Sequence, residues 1–272
     1  MEPPLVSIVI ASLNQGAYLE QAIQSVLRQS YPRVELIVMD GGSTDGSVDL
    51  IKKYESRLSH WASGRDGGPA AALNSGFRFA TGDLLGFLNA DDFYLPEAFS
   101  QIADAFMTSP GRAVCSGHGY FATASGALGA PMFSDEWNLT RFKYGACVLL
   151  QPATFFRRSA YERAGGFPET GRICWDMELW AAMAASGARF QTVDLFLAGF
   201  RLHKKSITGG TDFQTRRRQD ARDVMAELRG RPEGPLDRAA HGFFRAAKFV
   251  RNPIRSLRKR VFFYATLKRW SL

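Results

Sequence analysis

Apolar residues in the first third of the chain gather into short runs that stop abruptly at polar tips. Leu5-Val6-Ser7-Ile8-Val9-Ile10-Ala11 ends in Ser12-Leu13-Asn14, and Val34-Glu35-Leu36-Ile37-Val38-Met39 ends in Asp40-Gly41-Gly42-Ser43-Thr44-Asp45-Gly46. A third run, Leu84-Leu85-Gly86-Phe87-Leu88, ends in Asn89-Ala90-Asp91-Asp92. Near-continuous apolar runs of this length predict strands covered on both faces, as in α/β sheets. Between the first two, Leu19, Ile23, Val26 and Leu27 recur at steps of three or four and predict a helix; a second helix is expected over roughly 47–54. Polar clusters at the carboxyl ends of such strands fall where open α/β sheets bind ligands, the pattern of a nucleotide-binding half-domain.

The third tip carries the sharpest chemistry. Adjacent carboxylates repel unless a cation or hydrogen-bond donors offset the charge. Asp91-Asp92 therefore reads either as a divalent-metal site gripping a phosphorylated ligand or as a solvated acidic turn before Pro96. No Gly-x-Gly-x-x-Gly follows the first strand, which disfavours a nicotinamide-linked oxidoreductase. Gly41-Gly42 lacks the Gly-Lys-Ser/Thr ending of a P-loop.

At 272 residues and 46% hydrophobic, the chain is long enough for one large domain and an appendage. Its amino terminus does not read as a signal peptide, and no apolar stretch approaches the roughly 20 residues that span a bilayer. Cys115, Cys147 and Cys174 fit neither a disulfide framework nor a CxxC metal site and read as reduced cytosolic thiols. The net charge of +8 is concentrated at the end: residues 238–272 hold ten basic side chains and no acid, so the remainder is near neutral.

Seven motifs in order then give the chain a family. The strand tips above are joined by Asp66-Gly67-Gly68 with Ala72-Leu73-Asn74-Ser75-Gly76 and by Gln151-Pro152-Ala153-Thr154-Phe155-Phe156-Arg157-Arg158. Trp175-Asp176-Met177-Glu178-Leu179-Trp180 and His203-Lys204-Lys205-Ser206-Ile207-Thr208 complete the set. Over about residues 4–210 the chain resembles the family 2 inverting glycosyltransferases of the GT-A fold. The resemblance implies an α/β, Rossmann-like, mixed and mostly parallel sheet flanked by helices over 1–210, followed by a basic helical extension over 211–272.

It also implies site residues. Asp40 and Asp66 correspond to nucleoside contacts, although Asp40 also suits a helix-capping role. Ser12, Asn14, Asn74, Asn89 and Ala90 join them around the donor. Gly41 stands where many members have a second acid, which leaves the nucleoside open. Asn89-x-Asp91 is this chain's form of the DxD motif. Asp91, with Asp92 beside it, is expected to hold Mg²⁺ or Mn²⁺ against the diphosphate, and Asn89 removes one charge from that site. His203 resembles a late metal- or diphosphate-binding histidine. Asp176, opening an apparent helix that closes near Gly187, resembles the general base that takes the acceptor's proton. Glu178 points to another helix face, and Trp175 stands ready as an apolar wall for a sugar. Arg157 or Arg158 meets the phosphate of a lipid-linked acceptor, or forms a solvated turn.

Residues 236–272 read as two helices broken at Asn252-Pro253, with apolar Phe243, Ala247, Val250, Ile254, Leu257, Val261 and Tyr264 beside a basic row. A basic amphipathic face suits an anionic membrane surface; helices packed on the catalytic domain and a coiled-coil dimer are the alternatives. No base-reading motif accompanies the charge, so nucleic acid is not an expected partner. The expected enzyme is metal-dependent and works at the inner face of the cell membrane. It moves a sugar from a nucleotide donor (UDP favoured, GDP or dTDP as alternatives) to a lipid-linked or glycan hydroxyl in surface polysaccharide synthesis. Transfer to a polyprenyl phosphate and a non-catalytic nucleotide-sugar-binding role are the competing readings.

Overall fold

The computed structural model describes residues 2–203 and 211–251. Every apolar run singled out above is a strand. Strand β1 (Val6–Ser12) pairs in parallel with β2 (Val34–Asp40) and with β4 (Leu84–Asn89), and β2 pairs in parallel with β3 (His60–Ser63). Helices α1 (Gly16–Leu27), α2 (Ser47–Tyr54) and α3 (Pro69–Phe77) make the crossovers. Strand β5 (Phe93–Tyr94) and helix α4 (Ala98–Thr108) follow, and then β6 (Val114–Ala122), β7 (Leu128–Met132) and the short helix α5 (Leu139–Lys143). Strand β8 (Thr154–Arg157) lies antiparallel between β4 and β6, and β9 (Phe190–Arg201) lies parallel to β6. The sheet order is β3-β2-β1-β4-β8-β6-β9-β5, with β7 paired to β6.

Alternation along the strands builds two cores. Ile8 and Ile10 of β1 turn to the face covered by α1, α2 and α4, where Leu19, Ile23, Phe99 and Phe106 are buried. Val9 turns to the opposite face with Phe87, Phe156 and Trp180. That second face is closed by α3 and by helices α6 (Arg158–Ala164) and α7 (Trp175–Ala185).

The direction of α7 follows from its neighbours. Phe190, five residues after α7 ends, pairs with Val114, and Val114 pairs with Phe156, which pairs with Leu85 at the start of β4. The carboxyl end of α7 therefore sits at the amino edge of the sheet. Eleven helical residues rise roughly 16 Å, so its first turn, with Asp176, lies at the carboxyl edge. The same edge carries Ser12, Asp40 and Asn89, because Ser12 registers with Asp40 and Ala11 with Asn89.

The region after residue 210 does not stand apart from this body. Helix α8 (Thr211–Arg229) packs against α7 and α5, and α9 (Pro235–Arg251) docks through His241, whose Nδ1 lies 2.7 Å from the Tyr144 carbonyl, and through Phe244 on the Tyr144 ring. The Asn252-Pro253 break and the later apolar positions lie outside the described residues.

Candidate active site

At the tip of β4 the two adjacent acids part company. Asp91 Oδ2 lies 3.0 Å from His203 Nε2, so residues 112 apart in sequence meet at one corner. Asp92 turns inward and is 2% exposed; its Oδ1 accepts the Arg201 backbone N–H at 2.8 Å, while Oδ2 has no partner. Burial, reinforced by the neighbouring Asp91 charge, holds the Asp92 carboxyl well above the usual range. Asp92, expected either on the ion or just behind Asp91, turns toward Arg201 and braces the turn from behind.

Arg201 organises this corner, and no motif pointed to it. It is 2% exposed, and burial lowers its pKa. Its guanidinium donates to the carbonyls of Asp91 (2.6 Å), Thr123 (3.1 Å) and Ala124 (2.7 Å) and to Gln21 Oε1 (2.6 Å), and it lies 4.8 Å from the Tyr18 ring centroid. One buried cation therefore ties α1, the β4–β5 turn and the β6–β7 hairpin together. The only sequence signal was an arginine two residues before His203 at the end of an apolar strand.

Asn89 donates to Gln151 Oε1 at 3.2 Å, and Gln151 donates in turn to the Phe87 carbonyl at 3.0 Å, so the Gln-Pro-Ala-Thr segment props the tip of β4. Ala90 is buried. A carboxylate and an imidazole make a mixed oxygen–nitrogen donor pair. Divalent cations that bridge substrate phosphates are commonly held by one or two carboxylates, so Asp91 with His203 fits Mn²⁺ or Mg²⁺ completed by a diphosphate. Among the described residues no larger group of His, Cys, Asp and Glu gathers.

The end expected to take the donor is built on β2. Asp40 is almost fully engaged by its own loop: Oδ2 accepts from Gly42 N, Ser43 N and Ser63 Oγ, and Oδ1 from Ser43 Oγ. These bonds cap no helix, since α2 begins at Ser47 with Gly46 before it; they fold the loop back onto the tip of β2. Asp66 is exposed; its Oδ1 accepts Gly68 N at 2.8 Å, and a Cβ built at Gly41 would lie 3.2 Å from its Oδ2. Gly41 therefore keeps open the space between Asp66 and Leu13. A cavity of about 300 Å³ lies here, lined by Met39, Asp40, Ser63, Arg65, Asp66 and Ala71.

Ser12 Oγ, at the neighbouring tip, is buried without a partner. Asn14 adopts φ of 52° and joins the two loops, donating its N–H to Ser43 Oγ and accepting from Thr44 N. Asn74 is committed elsewhere. Its amide donates to the Phe167 carbonyl and Glu169 and accepts from Tyr161 and Phe167 N, which latches α3 to the segment before α7.

That segment leads to Asp176. Burial raises the Asp176 pKa, against hydrogen bonds from the Met177 backbone and the positive charge of Arg217. Glu178 faces away, buried on Thr170 and Arg172. Trp175 belongs to the core and is 8% exposed, so the expected sugar-facing wall is instead packing, with its indole N–H left unpartnered. Arg157 and Arg158 sit at the amino edge of the sheet, where Arg157 pairs with Leu84. Their guanidiniums donate to the carbonyls of Arg112 and Phe106 and of Gly82, which removes both from any phosphate at the opposite edge. Cys115, Cys147 and Cys174 are all buried, and burial pushes their thiols up to about 12, 11 and 12.

Comparison with known proteins assigns this architecture. The profile of Glycosyl transferase family 2 matches residues 7–163. The chain belongs to that family. It is 36% identical over 107 residues to an uncharacterized glycosyltransferase of Nostoc, covering 38% of this chain and 33% of that protein. An uncharacterized glycosyltransferase of Mycobacterium tuberculosis is 33% identical over 177 residues, covering 64% of this chain and 67% of the relative. The O-antigen biosynthesis protein RfbC of Myxococcus xanthus is 31% identical over 140 residues, covering 50% of this chain and 11% of its own length.

Two solved structures share the fold. The Pyrobaculum calidifontis mannosyltransferase PcManGT, in complex with GDP-Man and Mn²⁺, superposes with a TM-score of 0.66 at 20% identity, over 98% of this chain and 76% of that one. S. aureus TarS residues 1–349, in complex with UDP-GlcNAc, gives 0.62 at 19% identity, over 82% and 71%. Among the described residues no helix is long and apolar enough to cross a membrane.

Proposed function

We propose that this protein transfers a single sugar, with inversion, from a nucleotide-sugar donor to a hydroxyl of a lipid-linked or glycan acceptor. The carrying observation is that the Asp91–His203 pair and the Asp66 cavity share one edge of the sheet with the first turn of α7, which bears Asp176. The nucleoside lies against Asp66 and Arg65, with Gly41 giving it room; Ser12 and Asn14 border the ribose and diphosphate. Asp91 and His203 hold the divalent cation. That cation, when bound, stabilises the charge of the departing diphosphate. Asp176 accepts the acceptor's proton as its oxygen attacks the anomeric carbon, and the sugar–phosphate bond breaks with its electron pair leaving on the nucleoside diphosphate. Burial raises the Asp176 pKa, which makes its carboxylate a stronger base.

UDP-sugars are the favoured donors, in keeping with the TarS complex; the GDP-Man complex of PcManGT keeps GDP as the alternative. The likeness to an O-antigen biosynthesis protein supports a role in surface polysaccharide synthesis. The protein works at an anionic membrane surface, supported by the outward apolar face of α9: Leu236, Phe243 and Val250 are 82%, 68% and 78% exposed, with Arg238 and Arg245 exposed alongside.

The test is a thermal-shift panel of UDP, GDP and dTDP sugars with and without Mn²⁺, followed by transfer assays and product stereochemistry. Stabilisation by one nucleotide dependent on Mn²⁺, and loss of transfer in Asp176→Asn, are expected. Stabilisation by none of them sinks the assignment. Full transfer by Asp176→Asn would move the reaction to an acceptor that is already anionic, such as a polyprenyl phosphate.

A further inference from the structure

Deepening that reading, we propose that α8 supplies an anion subsite for the acceptor. Arg217 would receive a phosphate group carried by the molecule whose hydroxyl reaches Asp176.

The placement begins with how α8 meets the start of α7. Asp220 accepts the Ile173 N–H at 2.6 Å, Cys174 Sγ donates to the Arg217 carbonyl at 3.5 Å, and Arg216 donates to the Gly171 carbonyl at 2.9 Å. Three contacts within four residues of each other fix this turn of α8 directly against residues 171–174, immediately ahead of Asp176. Helical spacing then orients Arg217. It stands three and seven residues before Asp220 and Val224, which are 9% and 2% exposed, so all three share one face of α8. Asp220 and Val224 are buried by the body. Arg217, on the same face one turn nearer the start of α8, is exposed.

Its charge is not spoken for. Among the described residues no carboxylate or carbonyl accepts a hydrogen bond from the Arg217 side chain, whereas Arg216 is held by Gly171 and Arg172 by Glu178 and Glu227. The positive charge of Arg217 acts on Asp176, lowering its pKa against the effect of burial. A permanent pairing there would weaken a proton acceptor, since a nearby cation stabilises the ionised form. An acceptor phosphate resolves the conflict. Arginine binds phosphate through paired N–H donors, and a bound anion withdraws the cation's influence from Asp176 as the hydroxyl arrives. Arg157 and Arg158, which the sequence offered for this task, are committed at the far edge of the sheet.

The phosphate can be borne by a lipid carrier or by a water-soluble acceptor. The probe for the shared chemistry is methyl phosphate, followed by saturation-transfer NMR on the full chain loaded with UDP and Mg²⁺, so that the donor's diphosphate position is filled. Methyl phosphate should bind wild type and Arg218→Gln alike, and bind Arg217→Gln about ten-fold more weakly or worse. Arg217→Lys should recover part of the loss, which a merely structural role would not predict for so exposed a side chain. Equal binding to wild type and Arg217→Gln, or no binding to wild type, overturns the proposal. Calorimetry of UDP with Mg²⁺ in each variant separates the two claims: failure of that complex strikes the donor assignment, and the phosphate comparison is then read on the unloaded protein and on Asp91→Asn. Vesicles of phosphatidylcholine with and without undecaprenyl phosphate identify the source. Preferential retention of wild type over Arg217→Gln on the phosphate-bearing vesicles assigns a lipid carrier, and equal retention of both assigns a soluble acceptor phosphate.

Discussion

At the scale of single residues, the corner of Asp91, Asp92, Arg201 and His203 divides labour that the bare motif does not reveal. Two adjacent acids look equivalent in sequence, yet the backbone sends one toward His203 and the other into the protein against Arg201. Asp91→Asn and Asp92→Asn should therefore fail differently. The first should weaken Mn²⁺ binding, read by electron paramagnetic resonance, with little change in unfolding midpoint. The second should lower the midpoint more than it lowers affinity. Arg201→Met leaves three carbonyls and Gln21 Oε1 without their donor and Asp92 without its countercharge. Breaking a buried charged arrangement costs roughly 3–5 kcal/mol, and denaturant unfolding should register a loss of that order. Asp176 carries a pH prediction. Burial raises its pKa above the ordinary 3.8, opposed by Arg217 and assisted by Glu178. A base works only when ionised, so the acid limb of the kcat/KM profile should fall at a pH above 3.8, and removing the Arg217 charge should move that limb higher still. A limb at or below 3.8 would argue against Asp176 as the titrating group.

At the scale of elements, the first half of the sheet was legible and the second was not, for a reason rooted in covering. Strands β1, β2 and β4 are parallel and buried on both faces, so each is written as an unbroken apolar run with its polar tip attached; the readings over 5–11, 34–39 and 84–88 matched the observed strands closely, and α2 matched the expected 47–54. The tips could be read because chemistry and strand ending coincide in sequence. The second half of the fold offers no such coincidence. Arg201 acts on a carbonyl 110 positions away, Asn74 on residues 93 and 95 away, and nothing local marks either job. The helical extension was expected, but the same blindness hid the role of α8, which clamps the approach to Asp176 through contacts spanning 43 to 55 residues. That clamp can be probed directly. Asp220→Ala leaves the Ile173 N–H without its acceptor, a loss of about 1–3 kcal/mol for a buried group. Hydrogen exchange over residues 170–176 should accelerate and kcat should fall, while donor affinity stays unchanged. Unaltered exchange there would show that α8 does not hold the segment.

At the scale of the whole molecule, charge and exposed apolar surface coincide at the carboxyl-terminal end. The outer face of α9 shows Leu236, Phe243 and Val250 seven residues apart, one above another, with Ala239 and Ala246 between them and Arg238 and Arg245 to the side. Its inner face is taken by His241, Phe244 and Lys248, the last paired with Asp135. A docked helix that still presents an apolar stripe has a second surface to bury, and flanking arginines select a surface that is anionic. The rest of the chain is near neutral, so the attraction is local and should behave as such. Sedimentation with phosphatidylglycerol vesicles should decline as salt rises and the Debye length contracts. The triple replacement of Leu236, Phe243 and Val250 by Ser should abolish the salt-resistant remainder, with unfolding unchanged because none of the three is buried. Arg238→Gln with Arg245→Gln should instead remove the salt-sensitive part. Were wild type to ignore anionic vesicles at low salt, the apolar face of α9 would need a protein partner to cover it, and the membrane reading would fall without disturbing the site at the carboxyl edge of the sheet.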